Sequence, residues 1–397
     1  MQVGTALNML SQPGRSDASI VAEHFALGDL AEPLGFNSLF ALELELRLAQ
    51  RRDDDLRRLR EPAARLPHRD AHPRVFDARR AAAKSKQASA AAHDVEQGDP
   101  IRVAEGIALL DIMCGGRCLF GFGRGAASVE YEGMRIPMAE ARGRFAEAAQ
   151  FVVSALSEPE FVFQGEFFHI PRTSIRPRPI SHPERRFYAS SVSPESATLM
   201  AKLGFSMLLI MQNEWAKCAG DIATFYKIAA EAGHHPRRPL ILTNVSCAES
   251  RSEAHERALK YLGAKWDSIE DHYRFGDGHL ARVRGYESYA ALAKTYAKMK
   301  DPAARAKATE FYVSIQVTGT PDDCLQKIAE LKRLTGLDHL ICEFAWGGLP
   351  HEEAEGNMRL FASEVLPVLQ QDRAFATPST EETREAKGGA RDLFAPA

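Results

Sequence analysis

The sequence predicts an α/β chain folded as one (β/α)8 TIM-type barrel with insertions, on three observations. Strand-like and helix-like segments alternate from about residue 100 onward. The strand-like segments are almost continuously apolar, the pattern of a parallel sheet covered by helices. Such strands number about eight once one is placed near residue 90, which favours a closed barrel. A doubly wound open sheet is the competing arrangement. No Gly-x-Gly-x-x-Gly follows the first strand, where that fold would need it.

Each element has its own signal. The N-terminus offers a strand over 3–9, a helix near 20–34 and a strand over 38–42. Val103, Ile107, Leu110 and Met113 recur at helical spacing, and Gly115-Gly116 stops that helix. Cys118 to Phe122 is a buried strand, and 139–156 is a long amphipathic helix holding Arg142, Arg144 and Glu147. EFVFQGEFFHI, 160–170, reads as a hairpin turned at Gln164-Gly165. Strands follow at 186–192, 205–211, 239–246 and 339–346, with helices at 194–203, 214–232, 253–273, 322–334 and 352–369. Residues 274–306 are polar and rich in Lys, Arg, Ala and Tyr, the composition of a surface insertion or lid. The tail, 371–397, is charged and rich in Gly, Pro and Thr and is expected to be disordered, leaving 1–370 as a single domain.

One stretch departs from this pattern. Between Glu43 and Ala83 arginines crowd the chain (Arg47, Arg51, Arg52, Arg57, Arg58 and Arg60 among them) with almost no apolar periodicity, and three aspartates run together at 53–55. It reads either as a long solvated basic helix or as translation out of frame across a GC-rich region, since Arg, Ala, Pro and His are what such shifts yield. If 43–97 is a frame error or a degenerate insertion, the barrel is expected to be open or weakly packed there and 47–80 poorly ordered.

Composition excludes several function classes. A net charge of -3 gives no electrostatic reason to expect nucleic acid or an anionic membrane surface as a partner. No run of about twenty apolar residues exists to span a bilayer. The first ten residues lack a basic region followed by an apolar core, so no signal peptide is read. The six cysteines are scattered, and the close pair Cys114 and Cys118 lacks a second ligand pair at zinc spacing, so reduced buried thiols in a cytoplasmic protein are expected. No HExxH, zinc spacing or nucleophile elbow appears, leaving metal and serine-hydrolase mechanisms without support.

The chemistry concentrates in Gly116-Arg117-Cys118-Leu119-Phe120-Gly121-Phe122-Gly123-Arg124-Gly125. This is a short strand breaking at its C-terminal end into a glycine-rich turn with one arginine. Ligands sit at that end of strands in parallel α/β folds. Glycine lets a ligand approach the backbone, and Arg124 carries a planar cation suited to phosphate or carboxylate. A second candidate is Ser193-Pro194-Glu195-Ser196, with a serine at a helix N-cap, proline at the first helical position and a second serine in the first turn. Free N–H groups and the dipole make such a helix start an anion site.

The string DPIRVAEGIALLDIMCGGRCLFGFGRG, residues 99–125, resembles the signature region of the bacterial luciferase-like flavin-dependent monooxygenases. The resemblance continues through Glu130, Gly133, Arg144, Glu147, the hairpin ending GEFFHI, the segment YASSVSPESA and the C-terminal FAWGG…EVLP. It implies that Arg124, Ser193 and Ser196, with the Val192 and Ser193 backbone, hold the phosphate of FMN, and that a small-residue bulge at Ala91 and Ala92 lies under the flavin ring. It further implies reduced FMN supplied by a separate flavin reductase, reaction with O2 through a C4a-hydroperoxide, oxygenation of a small organic substrate, and a homodimer. Two departures stand against it. Glu43-Leu44-Glu45 occupies positions where the family often has a flavin-facing histidine, and His93, Asp94, Glu96 and Gln97 flank the bulge with unusual polarity. No catalytic residue is identified. His24 is a tempting base, but it sits on the first helix, and outer helices do not line a barrel mouth. Asn8 and Trp346, near the ends of the first and last strands, are candidates for the substrate pocket. A deazaflavin-dependent oxidoreductase on the same barrel and a non-catalytic flavin-binding homologue are the alternative readings. Relatives of the former usually carry an acidic residue where this chain has Arg124.

Overall fold

Backbone pairing joins eight parallel strands into a ring in the computed structural model, which describes residues 1–8, 15–41, 87–94, 99–190 and 194–376. The ring runs through β1 (Gln2–Leu7), β2 (Ser38–Ala41), β3 (Gln87–Asp94), β4 (Leu119–Gly123), then past a separate antiparallel hairpin of β5 (Phe161–Gln164) and β6 (His169–Thr173) to β7 (Phe187–Ser190), β8 (Ser206–Ile210), β9 (Leu240–Cys247) and, beyond a short flanking strand β10 (Val317–Gly319), β11 (His339–Glu343). β11 pairs with β1 and β8 pairs with β9, which closes the circle. β9 serves three neighbours: its first residues pair with β8 and β11, and its last three, Val245 to Cys247, pair with β10.

The expectation of an opening near 43–97 is not met at the third strand. β3 pairs in parallel with β2 from Gln87 and with β4 from Ser89, so the backbone ring is continuous there. Ladder hydrogen bonds are made by main-chain groups, and a run of alanine and serine is no obstacle to them. The register against β4 shifts between Ala90 and Ala92, a bulge spanning Ala91. Residues 42–86, including the arginine-rich run and Glu43-Leu44-Glu45, lie outside the described residues, as do 191–193 and the tail from 377.

The helices between strands start where the sequence supplies caps. Ser16 caps α1 (Asp17–Ala31) and Asp99 caps α2 (Pro100–Met113), each accepting from a first-turn N–H. α3 (Ser128–Met134) and α4 (Ala141–Ser157) precede the hairpin. Glu147 of α4 ties its turn down, accepting N–H bonds from Glu166 (2.6 Å), Phe167 (2.9 Å) and Phe168 (3.1 Å). α5 (Pro194–Lys202) and α6 (Trp215–Glu231) flank β8, and Ser250 caps α7 (Arg251–Tyr273). The insertion after α7 forms α8 (Tyr289–Lys298) and α9 (Pro302–Ser314), and a Thr320–Asp323 capping box opens α10 (Pro321–Thr335). The closing segment, expected as one helix over 352–369, is α11 (His351–Leu360), a π-helical turn at Phe361–Val365 and α12 (Leu366–Gln371). Pro367, which has no N–H to donate, stands at the start of α12 and accounts for the break. Among the described residues no helix is long and apolar enough to cross a membrane.

Two apolar layers hold the barrel. Between strands and helices lie Val3, Leu7, Phe120, Phe122, Phe187, Phe205, Ile241, Leu340 and Phe344, all buried. Phe122 and Phe187 pack with ring centroids 4.6 Å apart, and both meet Phe205. Inside the ring, Ala6, Phe40, Leu119, Tyr188, Leu208, Leu240, Leu242 and Ile341 fill the lumen. Below them His339 Nε2 and Ser38 Oγ meet at 2.7 Å across β1, where Gly4 leaves room. A Cβ at Gly4 would stand 2.1 Å from Ser38 Oγ and 2.8 Å from Ile341 Cδ1. Burial pushes the His339 imidazole down to about 4, so it is neutral at pH 7.

Candidate active site at the barrel mouth

Side chains alternate along a strand, so residues two past the lumen layer face inward again, nearer the C-terminal rim. Two past Ala6, Leu242 and Ile341 come Asn8, Asn244 and Glu343. These three converge. Glu343 accepts from Asn8 Nδ2 (3.1 Å) on one carboxylate oxygen and from Asn244 Nδ2 (2.8 Å) on the other. Lys265 of α7 reaches the second oxygen at 2.9 Å, forming an ion pair in which Glu343 is 1% and Lys265 8% exposed. Tyr312 of α9 donates to Asn244 Oδ1 at 3.1 Å, and Gln316 accepts from the Asn244 N–H at 2.9 Å. A charge pair this deep in a barrel is stabilising only when its hydrogen bonds are made, and here both carboxylate oxygens are bonded.

Of the sequence candidates, Asn8 is therefore placed at the mouth with a defined partner. Trp346 lies three residues past the end of β11, buried in the helix-facing layer, its indole N–H donating to the Glu343 carbonyl at 2.9 Å. Asn8 and Trp346 also line one small cavity with Arg15, Glu23, His24 and His351. His24 is 7% exposed, with Nδ1 2.9 Å from the Ile20 carbonyl and Nε2 without a hydrogen bond. Burial holds its pKa below the ordinary value, against the pull of Glu343 and Glu23. His24 of the first helix thus shares a small cavity with Asn8.

On the opposite side of the ring, β4 ends at Gly123 and Arg124 follows. Gly123 is paired with Ser190, the last residue of β7, and α5 starts four residues beyond it. The arginine turn and the helix N-terminus therefore rise from neighbouring strand ends, and Ser196 in the first turn of that helix is buried. Val192 and Ser193 fall outside the described residues. The Arg124 guanidinium lies 4.1 Å from the Tyr286 ring centroid, and its buried Nη1 makes no hydrogen bond. Arg142 of α4 joins it: Arg142 Nη2 donates to the Gly285 carbonyl at 3.3 Å, and a Cβ at Gly285 would meet Arg124 Nη1 and Arg142 Nε at 3.3 Å each. Two guanidinium groups thus share one glycine whose φ of +94° few other residues adopt. Ala91 and Ala92 belong to β3, the strand next to β4, on the same rim.

Apart from Asn8, the polar group around Glu343 escaped the sequence reading. Its residues come from β9, β11, α7, α9 and the position just past β1, and a lone carboxylate closing the apolar run His339-Leu340-Ile341-Cys342-Glu343 was the available signal. Among the described residues no cluster of His, Cys, Asp or Glu could hold a metal ion.

The parallel ring thus carries a buried polar group around Glu343 on one side of its C-terminal rim and two neighbouring guanidinium groups on the other. The sequence profile of the Luciferase-like monooxygenase family matches residues 87–339, and the chain belongs to that family. The chain is 23% identical over 292 residues to an alkanal monooxygenase alpha chain from Photorhabdus luminescens, covering 73% of this chain and 80% of that one. Among solved structures it resembles the oxygenating constituent of 3,6-diketocamphane monooxygenase from Pseudomonas putida, determined with FMN (TM-score 0.60, 19% identity, 92% of this chain and 98% of that one). It also resembles an F420-dependent secondary alcohol dehydrogenase (TM-score 0.62, 15% identity, 92% and 98%). At these identities the structural likenesses speak for the fold.

Proposed function

We propose that the chain is an FMN-dependent monooxygenase that oxygenates a small organic substrate with O2, its reduced FMN supplied by a separate reductase. The observation that carries the reading is the Arg124 guanidinium, whose buried Nη1 has no partner and which stands beside Arg142 at the rim next to the α5 N-terminus. That arrangement fits a phosphate monoester: two planar cations, a helix start and a serine in its first turn. When bound, the reduced flavin supplies the electrons for oxygen activation. The chain's own part is to anchor, orient and exclude water. Arg124, Arg142 and Ser196 would hold the phosphate, with Ser193 and the Val192 backbone beside them. Ala91 and Ala92 would underlie the ring. Asn8, fixed by Glu343, presents a carboxamide to the mouth, and the lumen layer from Phe40 to Leu242 closes the bottom to water.

The test compares FMN with riboflavin, which lacks the phosphate. Arg124→Ala is expected to raise the FMN dissociation constant about 10- to 100-fold, the worth of one charge-assisted contact of roughly 1.5–3 kcal/mol, and to leave riboflavin binding nearly unchanged. Equal affinity of variant and parent for FMN would remove the assignment. The second reading, a deazaflavin-dependent oxidoreductase, is favoured by the likeness to the F420-dependent enzyme. Titrating the protein with FMN and with F420, then measuring oxygen consumption with a coupled flavin reductase, separates the two. Binding of FMN with reduced FMN reoxidising no differently from the free flavin would identify a non-catalytic flavin-binding homologue.

A further inference from the structure

Arg124 is held from a direction that the GRG turn alone does not explain. The insertion after α7 sends Gly285, Tyr286 and Glu287 back onto the β4 rim. Tyr286 is fully buried, in a cluster with Ala126, Tyr131, Ala141 and Leu280. Its ring faces the Arg124 guanidinium at 4.1 Å, and its hydroxyl donates to the Gly125 carbonyl at 2.5 Å. Tyr131 of α3 also donates to that carbonyl, at 3.3 Å, and the two phenol oxygens lie 3.0 Å apart. One aromatic residue therefore grips the turn twice: by the arginine's side chain and by the next residue's main chain.

The neighbouring residues serve the same end. The Gly285 carbonyl accepts from Arg142, so the second guanidinium is fastened to the same strap. Glu287 could compete with an incoming anion, but its carboxylate is engaged by the strap itself. Both of its oxygens accept from the Gly285 N–H at 3.0 Å, and its nearest approach to Arg142 is 3.9 Å. Arg124 Nη1 stays without a bond inside the protein.

We infer that Tyr286 is a positioning residue for anion binding: it fixes the Arg124 guanidinium with Nη1 unbonded, so that anion affinity depends on the insertion being packed on the rim. An unrestrained arginine loses side-chain freedom when it binds a phosphate, whereas one already stacked on a ring has less to lose. The inference rests on the reading of Arg124 as the phosphate ligand, and the experiment separates the failure of one from the failure of the other.

FMN and riboflavin dissociation constants are measured by flavin fluorescence quenching for the parent chain and for Arg124→Ala, Tyr286→Leu and Tyr286→Phe. Tyr286→Leu removes ring and hydroxyl and is expected to weaken FMN about tenfold while riboflavin stays within twofold. Tyr286→Phe keeps the ring but loses the bond to the Gly125 carbonyl, and is expected to weaken FMN about threefold with riboflavin unchanged, which also covers the case in which the leucine variant fails to fold. If Arg124→Ala lowers the preference for FMN over riboflavin but neither Tyr286 variant does, Tyr286 has no positioning role. Equal loss of both ligands in the Tyr286 variants would make it a packing residue only. An unchanged preference in Arg124→Ala would instead overturn the reading of Arg124 on which the inference rests.

Discussion

Replacing Lys265 by methionine would leave the Glu343 carboxylate, 1% exposed, with two carboxamide donors and no countercharge. Methionine matches the lysine stem in length, so the change removes charge with little loss of packing. Breaking a buried ion pair from one side costs about 3–5 kcal/mol, because the remaining charge stays desolvated. Unfolding entropy of roughly 2.1 cal/mol/K per residue, over a chain of this length, is near 0.8 kcal/mol/K, so the melting temperature should fall by about 4–6 °C. Glu343→Gln alone strands the lysine and should cost a similar amount. The double variant leaves neither charge, and burial of two neutral side chains in their place is expected to recover at least half of either single loss. Urea denaturation of the four proteins, analysed as a double-mutant cycle, reads this out directly. Additive losses, or a Lys265→Met cost below 1 kcal/mol, would refute the account of the pair as mutually dependent charges.

Acid should weaken the lower lumen. With a folded pKa near 4 and an unfolded one near 6.5, His339 binds fewer protons folded than unfolded between those values, so its contribution is fully present above pH 6.5 and is lost as pH falls toward 4. The loss is roughly 3 kcal/mol, and His339→Gln should flatten this limb when urea midpoints at pH 7 and pH 4.5 are compared. A parent and variant with identical acid limbs would count against it. Gly4→Ala should lower stability by about 1–3 kcal/mol, since a Cβ there overlaps Ser38 Oγ and forces the Ser38–His339 bond to open. A melting temperature within one degree of the parent would show that the site relaxes.

The fold was legible where strands are apolar throughout. Ser206–Ile210, Leu240–Cys247 and His339–Glu343 were each placed within a few residues, because a strand covered on both faces leaves an unbroken hydrophobic run. β3 was located only by counting strands, since Gln87–Asp94 carries no such run. The proposed anion site was half legible. Arg124 announces itself in a glycine-rich turn, but Arg142 is one arginine in a surface-like helix, and Tyr286 sits in a segment that reads as polar insertion. Apart from Asn8, the Glu343 group was illegible for a different reason: its members are brought together by ring closure, which pairs the last strand with the first. Lys265, in a helix that carries many charged residues, gives no local hint that it is buried.

The order of strands in the ring carries a metric consequence. β4 and β11 are separated by three strands on either side, as are β7 and β1, so Arg124 and the α5 start face Glu343 and Asn8 across the full width of the mouth. Eight strands about 4.8 Å apart, tilted near 36°, enclose a circle on the order of 15 Å across. On the proposed reading of Arg124 and Asn8, that width sets a length requirement on what binds. A molecule gripped by its anionic end on one side touches the carboxamide on the other only if it is long enough to bridge that chord, and shorter phosphorylated fragments can fill the first side without reaching the second.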